Sequence, residues 1–330
     1  MRNNLLKVIG TALISGVLLM GCQVPAAGDG SSGEPELPLL VYCQVKDISA
    51  VFWQGAILGC QQAADELGPD KIELRFTTGT TDMGIEDSIK AFEDALSAGA
   101  DGIVIAPADS VALIPSVEEA NELGIPVVAM DTTINEPAKL LSTVATDNFN
   151  GVQDAVTRLI EANGGKGKYA VTACPSTIST CRDITSGFVA AVEKFPDAEI
   201  VGMPLACPSR EKGYNAIKDI MVAHPDLSGV FGCSGQDGLG AAEAIRDEGG
   251  SAKVVTRNCS MEELEEVKSG LLHACFAQFP RKMGYEGVMD IWNHYQGEDA
   301  PGYTDSGYDF VAKDRVQDYI DVGEWMGPPE

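Results

Sequence analysis

The chain has 330 residues, enough for one large or two medium domains. Apolar residues make up 45% and charged residues 22%, which are globular values and exclude disorder over most of the length. The 23 basic and 49 acidic residues leave a net charge of -26, and no basic run occurs anywhere, so nucleic acid is not expected as a partner.

Arg2 and Lys7 accompany an apolar stretch, Val8 to Met20, that is too short for a membrane span. The run ends in Leu19-Met20-Gly21-Cys22, which resembles a bacterial lipobox. The resemblance implies a signal peptide over 1–21, cleavage before Cys22 and lipid on the Cys22 thiol. A plain secretory signal with an incidental cysteine is the alternative. Two or three acyl chains, at about 0.8 kcal/mol per buried methylene, hold a protein stably on a membrane. Residues 22–38 are rich in Gly, Ser, Pro and Glu and read as a flexible tether.

From Leu39 onward strands and helices alternate. The apolar runs at 39–43, 72–78, 102–107, 126–131 and 140–146 read as strands. Helices are expected between them at 52–67, 82–97 and 114–123, the second with Ile85, Ile89, Phe92 and Leu96 at helical spacing. The beat repeats with strands at 168–174, 199–206, 229–233, 253–258, 271–279 and 308–312. Its helices fall at 150–162, 182–195, 212–224, 239–248, 261–269 and 281–295. Such alternation specifies the α/β class with parallel sheets covered on both faces. The segments 92–109 and 217–235 share a helix, a turn through Asp and a buried strand, so two similar lobes are expected. In open parallel sheets ligands sit beyond the carboxyl ends of the strands, and two facing sheets make a cleft.

Catalytic signatures are missing. There is no Gly-x-Ser-x-Gly, no phosphate-binding loop and no Gly-x-Gly-x-x-Gly after a strand. His224, His273 and His294 are scattered without metal-ligand spacing. No catalytic residue, metal or cofactor is therefore expected. The residues at strand ends carry more information. Asp131, Ser234, Gln236, Asp237, Asn258 and Gln278 close or follow strands, and Phe52-Trp53 opens the first helix. Carboxylates and planar amides pair with hydroxyls, and aromatic faces pack on the C–H faces of sugar rings. Singly, each has a plainer reading: helix caps for the polar residues, core for the aromatic pair. Together they suit a small polyol or sugar.

Over about residues 39–320 the chain resembles the type I periplasmic binding proteins, in the branch that binds ribose and other pentoses or hexoses for ABC importers. The resemblance is carried in order by FWQGAILGCQQAADELG, AGADGIVIAPAD, GIPVVAMD, VATDN, CRDITSGF, AHPDLSGVF and FAQFP. It implies two Rossmann-like lobes joined by a three-crossing hinge, near Val144–Asp147, Gln278–Pro280 and Tyr308–Val311. The lobes would be 39–145 plus 279–308 and 146–278 plus 309–330. It places the sugar-sandwiching aromatics on Phe52 and Trp53 and the first lobe's aspartate on Asp131. It places the second lobe's arginine on Arg182 and the hinge glutamine on Gln278. Departures occur as well. Ser234-Gly235 replaces the usual Asn-Asp, leaving Gln236 or Asp237 as substitutes. Asn258 replaces an aspartate, Thr132 an arginine and Pro208 an aromatic residue, and Lys46 stands where a small polar residue is usual. These changes argue against ribose itself.

The implied function is a lipid-anchored, extracytoplasmic solute receptor with an ABC permease as partner, binding a monosaccharide or polyol and performing no catalysis. A receptor for a furanosyl signalling compound or nucleoside is the rival. Besides Cys22, eight cysteines remain: Cys43, Cys60, Cys174, Cys181, Cys207, Cys233, Cys259 and Cys275. Several close strands near the cleft. Cys174 has Cys207, Cys233 and Cys181 as candidate partners, and the spacing does not choose among them. A soft-metal or thiol site is the alternative to bridged strand ends.

Overall fold

The computed structural model describes residues 36–79 and 84–323. The signal, Cys22 and most of the tether lie outside these residues, as do the Asp82 start of the second helix and the tail from 324.

Two six-stranded sheets organise the chain. The first contains β1 (Leu39–Val45), β2 (Ile72–Thr78), β3 (Gly102–Ile105), β4 (Val127–Met130), β5 (Ser142–Ala145) and β11 (Gly302–Asp305). Its order is β11-β5-β4-β3-β1-β2, and every pairing is parallel. The helices α1 (Val51–Leu67) and α9 (Pro280–Tyr295) pack on one face, α2 (Ile85–Ser97) and α3 (Ile114–Glu122) on the other. Alternation along β3 sends Val104 to the first helix pair and Ile103 and Ile105 to the second. With both faces covered, β3 and β4 are buried at every residue, which is why they read as unbroken apolar runs.

The second sheet holds β6 (Lys166–Val171), β7 (Asp197–Gly202), β8 (Leu227–Phe231), β9 (Lys253–Asn258), β10 (Ala274–Gln278) and β12 (Tyr308–Ala312). Its order is β12-β10-β9-β8-β6-β7, with β12 antiparallel. The helices α4 (Asn148–Glu161) and α5 (Ser179–Val192) cover one face. The other face takes α6 (Arg210–Ala223), α7 (Gly235–Asp247), α8 (Met261–Ser269) and α10 (Val316–Val322).

Close helix packing depends on glycine. A Cβ on Gly59 of α1 would collide with the Arg281 carbonyl of α9, and one on Gly284 of α9 with the Ala56 carbonyl of α1. Substitution at either position would force the pair apart.

The chain passes between the sheets three times: from β5 to α4, from β10 to α9, and from β11 to β12. The third passage is Ser306–Gly307, upstream of the Tyr308–Val311 segment expected from sequence, because residues 308–312 already pair with β10. The first and third passages run together. Ser306 N donates to Ala145 O at 2.9 Å, and the Thr146 and Ser306 hydroxyls are 3.0 Å apart.

Two elements were not legible beforehand. β11 is mostly exposed and carries no apolar run, and α10 is a seven-residue helix. The expected strand over 199–206 ends at Gly202, since Pro204 lacks an N–H for the ladder. The seventh helix starts at Gly235, not Leu239, because Ser234 and Asp237 form a capping box there.

Candidate functional site

A cavity of about 730 Å³ opens at the carboxyl ends of both sheets. The first sheet's side contributes Lys46 after β1, Phe52 and Trp53 on α1, and Asp131 after β4. The second contributes Thr180 on α5, Ser234 and Gln236 around the start of α7, and Arg257 and Asn258 at the end of β9.

Asp131 is the electrostatic centre. Its carboxylate is 3.4 Å from Lys46 Nζ and 3.1 Å from Arg257, so it is paired with a cation from each sheet. Both cationic side chains are 9% exposed and that of Asp131 is 5% exposed. Thr132 Oγ1 donates to Asp131 Oδ2 at 2.9 Å, and Thr180 Oγ1 donates to the Asp131 carbonyl at 3.0 Å. Burial pushes the Asp131 carboxyl up, but the Lys46 and Arg257 charges with the Thr132 hydrogen bond hold it below the usual carboxylate range. Lys46 also donates to Thr132 at 2.9 Å and lies 5.3 Å from the Trp53 ring centroid, so its position is fixed from three sides. Arg257 is oriented by Asn148, whose Oδ1 accepts from Nε at 3.2 Å.

The backbone is strained where it meets the cavity. Asp131, Asn258 and Cys259 have φ of 62°, 111° and 62°, and no other non-glycine among the described residues has positive φ. Such conformations cost about 1–2 kcal/mol per residue and persist only where the surroundings hold them. Ion pairs hold Asp131, and a disulfide to Cys275 holds Cys259.

Phe52 and Trp53 line the cavity and also belong to the first sheet's core, so the core and platform readings both apply. Their rings meet edge to face at 4.8 Å, not as parallel plates. Ser234 lines the cavity while its hydroxyl and N–H are engaged by Asp237. Asp237 is fully buried beneath it and is not among the lining residues, which removes it as a substitute contact. Gln236 is exposed, and its amide donates to Glu262 at 3.3 Å. Gln278 is 1% exposed at the end of β10, outside the lining, with both amide atoms lacking hydrogen-bond partners among the described residues.

Arg182 requires correction. It is exposed and absent from the cavity lining. The inward side of α5 is set by Ile178, Thr180, Cys181 and Ile184, and the Cys174–Cys181 disulfide fixes that turn, so Arg182 faces solvent. The guanidinium in the cavity belongs to Arg257. Its signal was present in KVVTRN, where a charge sits inside an otherwise buried strand, a position that demands a partner.

Glu263 also lines the cavity. It caps α8 by accepting from Ser260 N at 2.8 Å, and burial pushes its carboxyl up to about 7. The cysteine question resolves in part: Cys174 is bonded to Cys181 and Cys259 to Cys275, while Cys43, Cys60, Cys207 and Cys233 are free.

A family model described as a periplasmic binding protein domain matches residues 41–299. The ribose import binding protein of Bacillus subtilis is 31% identical over 192 residues, covering 58% of this chain but only 62% of that relative. The Escherichia coli ribose import binding protein is 28% identical over 241 residues, covering 73% of this chain and 79% of the relative. Among solved structures, an ABC transporter solute-binding protein from Agrobacterium vitis bound to α-D-tagatopyranose aligns with a TM-score of 0.81. It is 26% identical, and the match covers 86% of this chain and 97% of that one. A second Agrobacterium vitis solute-binding protein, with bound D-fucose, aligns with a TM-score of 0.79 at 26% identity, covering 84% of this chain and 96% of that one.

Proposed function

The chain belongs to the periplasmic binding proteins, a family of solute receptors and not of enzymes, and from that premise we propose that it is the extracytoplasmic receptor of an ABC importer for a monosaccharide or related polyol. The observation that carries this reading is the ion pair between Asp131 and Arg257, which spans the two sheets inside a cavity flanked by Phe52 and Trp53. A carboxylate accepts from sugar hydroxyls, a guanidinium donates to ring and hydroxyl oxygens, and an aromatic face covers the C–H side. Lys46, Asn258 and Ser234 complete the polar lining, with Gln236 at its rim. The Gln278 amide, buried beside the second passage between the sheets, has no hydrogen-bond partner among the described residues.

Ligand capture proceeds by rotation of one lobe on the other about the three passages, and the ligand's tighter binding to the closed form supplies the driving force. The closed surface is what a permease reads. The lipobox-like run ending in Cys22 supports a lipid anchor that keeps the receptor beside that permease. A furanosyl compound or nucleoside would enter the same cavity, but relatives named for ribose or crystallised with tagatose and D-fucose favour a free monosaccharide.

A thermal-shift panel of pentoses, hexoses, polyols and nucleosides tests the proposal. A ligand at 100 times its Kd adds about 2.7 kcal/mol to stability. At least one monosaccharide or polyol is expected to raise Tm. No response to any of them contradicts the reading, and a response to nucleosides alone supports the rival.

A further inference from the structure

We propose that Cys207 and Cys233 are joined by a third disulfide, set in the wall of the cavity beside the Cys174–Cys181 bond. The sheet order brings them together. β6 lies between β7 and β8, so the segments that follow these three strands meet at one end of the sheet. From the β7 side, Cys207 N donates to Ala173 O at 3.1 Å. From the β8 side, Cys233 N donates to Thr172 Oγ1 at 3.0 Å. The Sγ atoms of Cys174, Cys207 and Cys233 consequently lie within 4.8 Å of one another. Cys181 joins these three in lining the cavity.

Three sulfurs this close would also suit a soft metal ion. Cys174 is already committed to Cys181, however, which leaves two thiols, too few for a thiolate cage. Cys174 Sγ lies 3.3 Å from Cys233 Sγ, and that is the competing pair; choosing it would break the existing bond and strand Cys181.

The chemistry balances with a disulfide donor, the class of oxidant found outside the cytoplasm. The two thiols lose two protons and two electrons and form one S–S bond, and the donor's disulfide is reduced to two thiols. The bond would tie the loop carrying Pro208 to the end of β8. Two disulfides and a proline would then form an apolar wall across from Phe52 and Trp53. That last consequence rests on the sugar-binding reading, but the bond itself does not.

The test uses the full chain exported from its host and purified without reductant. It is unfolded in iodoacetamide, digested and mapped by mass spectrometry. The expected result is a Cys207–Cys233 linked peptide pair about 2 Da lighter than the separate thiol peptides, with both cysteines labelled only after reduction. Labelling of both without reduction overturns the proposal, as does a Cys174–Cys233 link or labelling that becomes complete only when a chelator strips a metal. The Cys207→Ser/Cys233→Ser double variant, checked for folding by circular dichroism, is then compared with wild type for D-tagatose and D-ribose binding. A drop in affinity of about threefold or more supports the wall, and unchanged affinity overturns that role. If wild type binds neither these nor any other sugar, the functional reading fails while the disulfide map still stands.

Discussion

The two walls of the cavity are built from similar strand ends and carry different chemistry. The first sheet's wall presents aromatic rings and charge through Phe52, Trp53, Lys46 and Asp131. The second presents a guanidinium, an amide and sulfur, through Arg257, Asn258 and four cysteines. The difference lies in where each charge finds its balance. Asp131 has one cation on its own wall and a second across the cavity. Arg257, buried on the second wall, has no carboxylate partner but Asp131 among the described residues. The Asp131–Arg257 pair is therefore a contact between the lobes that opening would exchange for hydration of both charges, while losing either partner with the lobes together leaves the other buried and unpaired.

Removing the shared carboxylate should have the largest effect. Asp131→Asn leaves Lys46 and Arg257 facing each other unneutralised. We expect sugar affinity to fall more than about 100-fold and stability to drop by about 3–5 kcal/mol, read by calorimetry and urea titration. The pH dependence follows from the same group. Its folded carboxyl sits below the unfolded value, so its contribution is present above the unfolded pKa and is lost as pH falls through the folded one. Wild type should therefore lose stability in acid more steeply than Asp131→Asn does.

Trp53→Ala probes the same wall without charge. It should cost about 3 kcal/mol from lost core packing and also weaken sugar binding. A variant that loses stability but keeps full affinity would assign Trp53 to the core alone.

Glu263 sharpens the contrast from the second wall. Its folded carboxyl at about 7 lies above the unfolded value, so the folded state holds the extra proton and stability declines as pH rises from about 4.5 to 7. Glu263→Gln keeps a cap acceptor and removes that titration. Its stability relative to wild type should be higher at pH 8 than at pH 5, by on the order of 2 kcal/mol. An equal difference at both pH values would contradict the burial argument.

The smallest effect is expected at Arg182. Arg182→Ala should leave sugar affinity within about twofold, as for an exposed residue away from the site, whereas Arg257→Ala should abolish measurable binding. The reverse result would restore the assignment made from sequence resemblance.

What could be read beforehand follows the strength of the physical signal. Buried parallel strands such as β3 and β4 announce themselves as apolar runs, so the α/β alternation was legible throughout. β11 has three exposed residues out of four and no such run, so it was missed, and with it the correct third passage. Asp131 and the aromatic pair could be found because the chain carries them in recognisable segments. Arg182 misled because segment resemblance fixes a helix but not which of its side chains turns inward; here the Cys174–Cys181 bond and the helix turn decide that. Ser234 and Asp237 were visible as polar strand-end residues, yet their partnership is a cap, and only the three-dimensional hydrogen bonds separate a cap from a free donor.

The most direct test of the central claim is a crystal structure of the chain grown with whichever monosaccharide gives the largest thermal shift. The account predicts the sugar between the two sheets, its hydroxyls on Asp131 and Arg257 and its C–H face against Phe52 or Trp53. A sugar bound elsewhere, with the Asp131–Arg257 pair untouched and solvent-filled space beside it, would contradict the account.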